Sequence, residues 1–321
     1  MKPAGSSVLL ADIGGTYSRF ALADANGRPE QIAVFANDDI ASLDVAIRSY
    51  LADTKVQPRT AVLAVAGPVD GGEIVLTNRA WRFRLDDLAH TLGVTRIKAV
   101  NDFEAVAWAL ARLDDNDVRR LGRGDTAARP DCAKVVLGPG TGLGVAALVP
   151  VADGWQAVPS EGGHVSFSAA SAEEEPIFTR LRGEAPGSAE TVLSGPGIAR
   201  LHAAMHPGVT PIPPRTITAQ ALAGDASAQA TIRFFTRLLG RFAGDVALTF
   251  KALGGVYITG GVVRRLGPLL DDEIFRAAFE AHPPYQALLK ETPTYVITFE
   301  QPGLLGCAAL AALMARHAGE H

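Results

Sequence analysis

Cysteine is scarce in this chain, which has only Cys132 and Cys307 among its 321 residues. The two stand far apart and form no Cys-x-x-Cys pair, so the sequence offers neither a thioredoxin-like motif nor a cysteine-rich zinc site. Proteins that depend on disulfides usually come from oxidising compartments and carry many cysteines. We therefore expect a reduced protein of the cytoplasm.

Long apolar runs and dense basic runs are missing as well. No run approaches the roughly 18 apolar residues of a membrane helix, and the stretch Val8–Leu10 is too short for the apolar core of a signal peptide. The formal net charge of -4 argues against a nucleic-acid or membrane partner, because both favour basic patches. The chain is 48% hydrophobic, and at about 150 residues per domain its length predicts two domains.

Two glycine-rich turns join short apolar strands. A predicted strand over Val8–Asp12 enters Gly14–Thr16, and a second over Lys134–Leu137 enters Gly140–Gly142. Glycines let backbone N–H groups approach an anion such as phosphate, and Asp12 at its strand end can hold a metal, directly or through water. The alternatives are an ordinary hairpin for the first turn and a mobile loop for the second. The two segments resemble each other, which suggests two related α/β halves.

Neither turn matches a common nucleotide motif. The chain has no Gly-Lys dipeptide, so a Walker A loop is excluded, and the second turn lacks the Gly-x-Gly-x-x-Gly spacing. A third glycine pair, Gly260-Gly261, follows a predicted strand over Val256–Thr259. It allows a nucleotide to pack closely, or it is a plain turn between a strand and a helix.

Asn101 and Asp102 follow a predicted strand, Ile97–Val100, and begin a helix. Asn and Asp are favoured helix caps, which is one interpretation. The other makes Asp102 a catalytic base and Asn101 its hydrogen-bonding neighbour, because α/β sheets place ligands at the carboxyl ends of their strands.

Three further residues suit a polyol. Glu161 and His164 flank two glycines, and their side chains can accept from or donate to hydroxyl groups. Glu190 lies in a predicted short helix, from which it can reach a substrate. The alternatives are a polar surface turn for the first pair and a solvent-facing glutamate for Glu190.

Longer-range organisation is visible in three places. The polar stretch Asp114–Asp131 is a candidate domain boundary, and helical spacing predicts a long buried helix over Ala228–Leu253 and a closing helix over Leu304–Ala318. Ser171 and Glu174 fit a capping box at the start of another helix.

Taken together, nine segments resemble the bacterial glucokinase family, of the group typified by proteobacteria and cyanobacteria. They occur in the family's order over nearly the whole chain: ADIGGTYSRFAL, LAVAGPVDG, LTNRAWRF, NDFEAVA, GPGTGLGVA, SEGGHVSF, SAETVLSGPG, GGVYITGGVV and QPGLLGCAA. The family motif usually has Asn in place of Tyr17 and a small residue in place of Pro139.

The resemblance implies the hexokinase–actin architecture, in which two ribonuclease-H-like α/β domains flank an active-site cleft. Residues 1–112 with 302–321 would form a small domain and 113–301 a large one. The implied activity is transfer of a phosphoryl group from ATP, with Mg²⁺, to the 6-hydroxyl of D-glucose, in a cytoplasmic homodimer.

The resemblance also implies roles for individual residues. Asp102 matches the family's catalytic base, and the sugar-binding set is Asn101, Asp102, Glu161, His164 and Glu190. The nucleotide-binding set is Asp12, Gly14, Gly15, Thr16, Gly140, Thr141, Gly142, Gly260 and Gly261. Three rival functions share this architecture: a kinase for fructose, mannose or N-acetylglucosamine, an ATP-driven switch, and a sugar-sensing regulator. The switch would not need the Glu–His set, and the regulator should lack the base.

Overall fold

The structure is a computed structural model that describes residues 7–67, 69–70, 72–76, 81–124, 126–183 and 185–318. Parts of some predicted segments lie outside the described residues. These parts are residues 1–6 and 319–321 of the predicted small domain, Pro68 and Gly71 of the LAVAGPVDG segment, residues 77–80 of the LTNRAWRF segment, Asp125 of the polar stretch Asp114–Asp131, and Glu184 of the predicted large domain.

The described chain alternates strands and helices, as an α/β protein does. The strands are β1 Val8–Ile13, β2 Tyr17–Ala23, β3 Pro29–Ala36, β4 Thr60–Val65, β5 Val69–Asp70, β6 Glu73–Val75, β7 Arg82–Arg84, β8 Arg96–Asn101, β9 Val118–Arg120, β10 Lys134–Pro139, β11 Leu143–Val151, β12 Gly154–Ser160, β13 Val256–Ile258 and β14 Thr294–Ile297.

The helices follow the same order along the chain. They are α1 Leu43–Thr54, α2 Leu85–Leu92, α3 Asp102–Ala109, α4 Glu175–Arg182, α5 Ala189–Val192, α6 Gly195–Met205, α7 Pro214–Leu222, α8 Ala226–Phe250, α9 Gly261–Leu266, α10 Asp272–Glu280, α11 Gln286–Glu291 and α12 Pro302–Ala318. Short 3₁₀ turns occupy Asn37–Asp39, Gly162–His164 and Gly267–Leu269.

The chain divides into two compact units. The first unit comprises Met1–Asp114, Trp155–Pro159 and Phe299–His321, and the second comprises Asp115–Gly154 and Ser160–Thr298.

The first unit contains a five-stranded sheet in the order β3-β2-β1-β4-β8. Strand β1 runs antiparallel to β2 and parallel to β4, and β4 runs parallel to β8. Every residue of β4 is buried and five of the six are apolar, as its internal place in the sheet requires, because strands buried on both faces are nearly continuous apolar runs. Helix α12 packs against α3, β1 and β4 in this unit.

The second unit repeats this order of strands. Strand β10 runs antiparallel to β11 and parallel to β13, and β13 runs parallel to β14. Strand β9 lies antiparallel at the edge of β14, so part of the polar stretch Asp114–Asp131 forms a strand. The resemblance between the two glycine turns is therefore matched by the topology of the sheets.

Helix α8 forms the core of the second unit. Its 25 residues include Phe234, Leu238, Phe242 and Val246, which are buried and have the helical spacing that predicted the helix. The helix ends where Lys251 adopts a left-handed conformation, with φ of 47°. Among the described residues, no helix is both long enough and apolar enough to cross a membrane.

Candidate active site

The first glycine turn, Gly14–Thr16, follows Asp12 of β1. Asp12 pairs in register with Arg19 of β2, and the Arg19 Nη1 atom lies 3.6 Å from Asp12 Oδ2. Both side chains are partly exposed, and Gly303 of α12 lies against the Asp12 carboxylate. The Asp12 side chain thus stands beside the turn with a cation next to it, where a metal or a phosphate group can approach.

Buried Asn37 holds the first glycine turn in shape. Its Nδ2 donates to the Gly14 carbonyl oxygen at 2.7 Å, and its backbone N–H donates to the Thr16 carbonyl oxygen at 2.9 Å. The Asn37 Oδ1 accepts from the Ser18 hydroxyl at 2.7 Å. Asn37 is the first residue of the 3₁₀ turn after β3, so its position depends on how β3 pairs with β2.

Asn101 and Asp102 lie at the same sheet edge as the first glycine turn. Ile13 is opposite Val65 in one pair of strands, and Val65 is opposite Asn101 in the next. The residues that follow Ile13 and Asn101 therefore leave the sheet at one edge, which is where parallel strands place ligands.

At the start of α3, the N-cap residue and the candidate base are two different residues. Asn101 is the N-cap, and its Oδ1 accepts from the Phe103 N–H at 2.9 Å. Glu104, at the third helical position, accepts in return from the Asn101 backbone N–H. Asp102 is the first helical residue, and its Oδ1 also lies 2.9 Å from the Phe103 nitrogen. The helix dipole at this position favours an ionised carboxylate.

Two ionisable groups next to these residues have shifted pKa values. Burial raises the pKa of Glu104, although the charge of Lys98 and the hydrogen bond from Asn101 oppose the shift. Burial also raises the pKa of the Cys307 thiol, and the charge of Asp12 adds to the shift. Cys307 is thus a neutral core residue, whose Sγ lies 3.5 Å from the Ala11 carbonyl oxygen.

The second glycine turn, Gly140–Gly142, is closed by a hydrogen bond from the Gly140 N–H to the Gly142 carbonyl oxygen at 2.8 Å. The Gly140 carbonyl oxygen accepts from the N–H of Gly195 at 2.8 Å, at the start of α6. Thr141 is exposed. A cavity of about 370 Å³ adjoins the turn and is lined by Gly140, Thr141, Gly195, Pro196, Ile198, Pro213, Pro214, Arg215, Thr218, Val262 and Arg265.

The Gly260-Gly261 pair lies next to this turn. Gly260 has φ of 99°, a conformation that side chains rarely adopt, and a Cβ atom at Gly260 would overlap the Pro139 carbonyl oxygen. Gly261 begins α9. The structure therefore brings the third glycine motif to the second and explains by close backbone contact why residue 260 is glycine.

Glu161 precedes the 3₁₀ turn Gly162–His164 of the second unit, and His164 is the last residue of that turn. Their side chains are 86% and 60% exposed, and His164 Nε2 lies 3.9 Å from Glu161 Oε2. The segment rests on β11, because the Ser160 hydroxyl donates to the Val145 carbonyl oxygen at 2.9 Å.

Glu190 contacts the second glycine turn. Its Oε2 accepts from the Leu143 N–H at 2.9 Å, and a Cβ atom at Gly142 would overlap this carboxylate. The alternative of a solvent-facing glutamate is thus wrong. The Glu190 carboxylate is the group that a side chain at position 142 would have to displace.

The predicted site residues lie close together within each unit. Within the first unit, Asp12, Gly14, Gly15 and Thr16 lie along the sheet edge with Asn101 and Asp102. Within the second unit, the two glycine motifs adjoin each other and Glu190 contacts one of them. A family model described as Glucokinase matches residues 9–314 of the chain.

The chain belongs to the glucokinase family. The predicted resemblance is therefore confirmed, and so is the predicted activity, glucose phosphorylation, at the level of the family. The glucokinase of Rhizobium meliloti (strain 1021) is 43% identical over 318 residues, which cover 95% of this chain and 91% of that protein.

Solved structures agree with this membership. A glucokinase from an Antarctic psychrotroph is 35% identical with a TM-score of 0.88, and the match covers 95% of this chain and 98% of that one. A ROK family glucokinase from Streptomyces griseus, in complex with glucose and AMPPNP, is 20% identical with a TM-score of 0.64, and the match covers 95% of this chain and 98% of that one. The latter shows the fold alone.

Asp12 is the acidic side chain beside the first glycine turn. Within the described parts of the chain, no group of three or more His, Cys, Asp or Glu side chains could hold a metal ion. Magnesium is commonly held by one or two carboxylates together with the phosphates of a substrate, and Asp12 beside the first glycine turn fits that pattern.

Sequence reasoning missed several residues that shape this glucokinase-family site. Arg19, Asn37 and Gly303 contact Asp12 or the first glycine turn, and Gly195 contacts the second. Arg19 had a usable signal, because residues at mirrored positions of a tight hairpin lie opposite each other. Asn37 comes from a segment that no predicted motif includes, whereas Gly195 and Gly303 lie in the segments SAETVLSGPG and QPGLLGCAA, in which no role was predicted for them.

Proposed function

We propose that this chain transfers the γ-phosphoryl group of ATP to the 6-hydroxyl of D-glucose, giving glucose 6-phosphate and ADP, with Asp102 as general base. Membership of the glucokinase family supports the reaction. The observation that carries the proposal is the register from Ile13 through Val65 to Asn101. It brings a carboxylate at a helix start to the sheet edge where the first glycine turn leaves.

Asp102 takes the proton of the sugar 6-hydroxyl as the oxygen attacks phosphorus. General-base catalysis of this kind contributes about 10²–10⁴-fold in rate. Asn101 is the N-cap of α3 and Glu104 accepts from its N–H, so these two hydrogen bonds at the helix start do not depend on the Asp102 charge. The sugar hydroxyls are bound by Asn101, Glu161, His164 and Glu190, which orient the 6-hydroxyl toward the phosphate. Positioning of this kind lowers the activation barrier by about 7–11 kcal/mol.

The two glycine turns bind the nucleotide phosphates, and Gly260-Gly261 with the adjoining cavity take the nucleoside. The Streptomyces griseus relative in complex with AMPPNP supports the use of ATP. Asp12 would hold Mg²⁺, directly or through water. When bound, the ion neutralises charge on the phosphates, which phosphoryl transfer requires.

The shared strand order of the two sheets supports two ribonuclease-H-like domains, with 1–112 and 302–321 in the small domain and 113–301 in the large one. An active-site cleft between these domains is part of the proposal. The homodimer and the cytoplasmic location stay predictions.

The test is a coupled assay for ADP with purified protein, Mg²⁺-ATP and a panel of D-glucose, D-mannose, D-fructose and N-acetylglucosamine. We expect the highest kcat/KM with glucose, and ³¹P NMR should place the phosphate on the 6-oxygen. Sugar-independent ADP release would favour an ATP-driven switch instead. A higher kcat/KM with another hexose would mean that this hexose, and not glucose, is the preferred substrate.

A further inference from the structure

Leu143, the first residue after the second glycine turn, is contacted by both predicted sugar-binding segments. Its N–H donates to Glu190 Oε2 at 2.9 Å, and its carbonyl oxygen lies against Gly163, where a Cβ atom would overlap it. Gly163 stands between Glu161 and His164. The turn is thus held from two sides by segments that are proposed to bind sugar.

We propose that Glu190 is a shared residue, which binds the sugar and also sets the second glycine turn for the nucleotide. The inference rests on the proposed function, because it takes the turn as the phosphate site and Glu190 as a sugar ligand. Its consequence is that glucose and nucleotide affinities are coupled through one side chain.

The physical basis is the direction of one backbone group. A hydrogen bond to an ionised carboxylate is stronger than one between neutral groups, so Glu190 fixes the orientation of the Leu143 N–H. The Leu143 N–H and the carbonyl of Gly142, the last residue of the turn, belong to one peptide unit, which is planar. Fixing the Leu143 N–H therefore fixes the Gly142 carbonyl, which accepts from the Gly140 N–H and closes the turn.

The Glu190 hydrogen bond favours nucleotide binding, whereas the negative charge of the same carboxylate opposes it. A negative side chain near the turn repels an approaching phosphate, so removing the charge strengthens nucleotide binding. The hydrogen-bond acceptor and the charge must therefore be changed separately. Glu190→Gln removes the charge and keeps an oxygen that accepts from Leu143, whereas Glu190→Ala and Glu190→Met remove both.

Coupling of this kind is reciprocal by thermodynamic necessity. If glucose locks the Glu190 carboxylate in place, it raises the affinity for ADP by the same factor by which ADP raises the affinity for glucose. Glu161 offers the matched comparison, because its exposed side chain belongs to the sugar set and is 3.9 Å from His164. Among the described residues, the Glu161 side chain makes no hydrogen bond to the second glycine turn.

The experiment is calorimetric titration of Mg²⁺-ADP into wild type and the Glu190→Gln, Glu190→Ala, Glu190→Met and Glu161→Gln variants, without sugar. We expect the Ala and Met variants to bind about three- to tenfold more weakly than Gln, the effect of one lost hydrogen bond. Glu161→Gln should match wild type. Equal dissociation constants for the Gln, Ala and Met variants would overturn the inference.

A second titration, with D-glucose present, tests the coupling itself. Glucose should raise the ADP affinity of the wild type, and the increase should be absent in Glu190→Ala and Glu190→Met. Glu190→Met keeps most of the side-chain volume that Glu190→Ala removes. The Met variant therefore still tests the coupling if the Ala variant does not fold. An inactive wild-type enzyme would refute the proposed function, whereas the sugar-free comparison fails or succeeds independently of glucose phosphorylation.

Discussion

The Asn37 side chain donates to the carbonyl oxygen of Gly14 across 2.7 Å, although 22 residues separate the two along the chain. Gly14 shares a planar peptide unit with Gly15, in which the C=O and the N–H point in opposite directions. Asn37 therefore orients the Gly15 N–H as well as the carbonyl it contacts. Because Asn37 is fully buried, solvent does not compete for this hydrogen bond.

We predict that Asn37→Asp raises the KM for ATP about three- to tenfold, because it replaces one hydrogen-bond donor by a second acceptor facing a carbonyl oxygen. The KM for glucose should change much less. Steady-state kinetics with each substrate varied in turn measures both constants.

Tyr50→Phe is the matched control for this prediction. It removes a hydrogen bond from a buried side chain to the Gln31 carbonyl oxygen, at 3.0 Å, in the same unit. It should lower the melting temperature and leave the KM for ATP unchanged. If Asn37→Asp altered only the melting temperature as well, Asn37 would have no part in nucleotide binding.

The second prediction concerns Asp102→Asn. The variant should fold normally, because Asn101 makes the N-cap of α3 and Asn is tolerated near a helix start. It should bind glucose and ATP and yet lose about 10²-fold or more in kcat, since an amide cannot accept the proton. Single-turnover measurements of glucose 6-phosphate separate this loss from product release.

Asp86→Asn makes the same change in the first turn of α2, where Asp86 is exposed beside Arg84. Its turnover should equal that of the wild type. Near-normal turnover of Asp102→Asn, with the fold intact, would require another base.

The third prediction is that Glu161→Gln raises the KM for glucose much more than the KM for ATP. The Glu161 side chain is 86% exposed, so its replacement should leave the melting temperature unchanged. Glu291→Gln removes an exposed carboxylate of the same unit, paired with Arg129, and should change neither KM. Unchanged Michaelis constants in Glu161→Gln would remove Glu161 from the sugar set.

The fourth prediction is a pH dependence of stability at Glu104. Burial raises its pKa in the folded state above the ordinary value of 4.5, so the folded protein holds the proton more tightly than the unfolded chain does. Ionisation of Glu104 therefore destabilises the fold as pH rises through the folded-state pKa.

Glu104→Gln removes this ionisation and still offers an oxygen to the Asn101 N–H. Its melting temperature should exceed that of the wild type at about pH 7, and the difference should shrink as the pH falls below the ordinary pKa of 4.5, where Glu104 becomes protonated in both states. Thermal unfolding across that range is the measurement. A difference that stays constant with pH would mean that the titration of Glu104 does not contribute.

Local rules explain what the sequence predicted well. The hairpin from β1 to β2, the start of α3 and the long helix α8 depend on residue period, glycine and capping over a few neighbouring residues. Those features place Asp12, Asn101 and Asp102 at strand ends, where α/β folds bind ligands. The order of the nine segments along the chain indicates the family without any tertiary contact.

One local expectation was wrong for a tertiary reason. Ser171 and Glu174 fit a capping box, yet Glu174 is itself the residue before α4. Its carboxylate accepts from the Ala170 N–H and pairs with Arg241 of α8 at 2.7 Å. A buried carboxylate needs a partner, and the nearest cation comes from 67 residues away.

The sequence by itself therefore determined the strands that lead into the candidate site, the glycine turns and the residue types that phosphoryl transfer needs, because each depends on neighbours within a few positions. Only the tertiary structure decided that Asn37 orients the first glycine turn and that Glu190 holds the second. Both contacts join residues separated by more than 20 positions. Such pairs form through the packing of whole strands and helices, which no local spacing records.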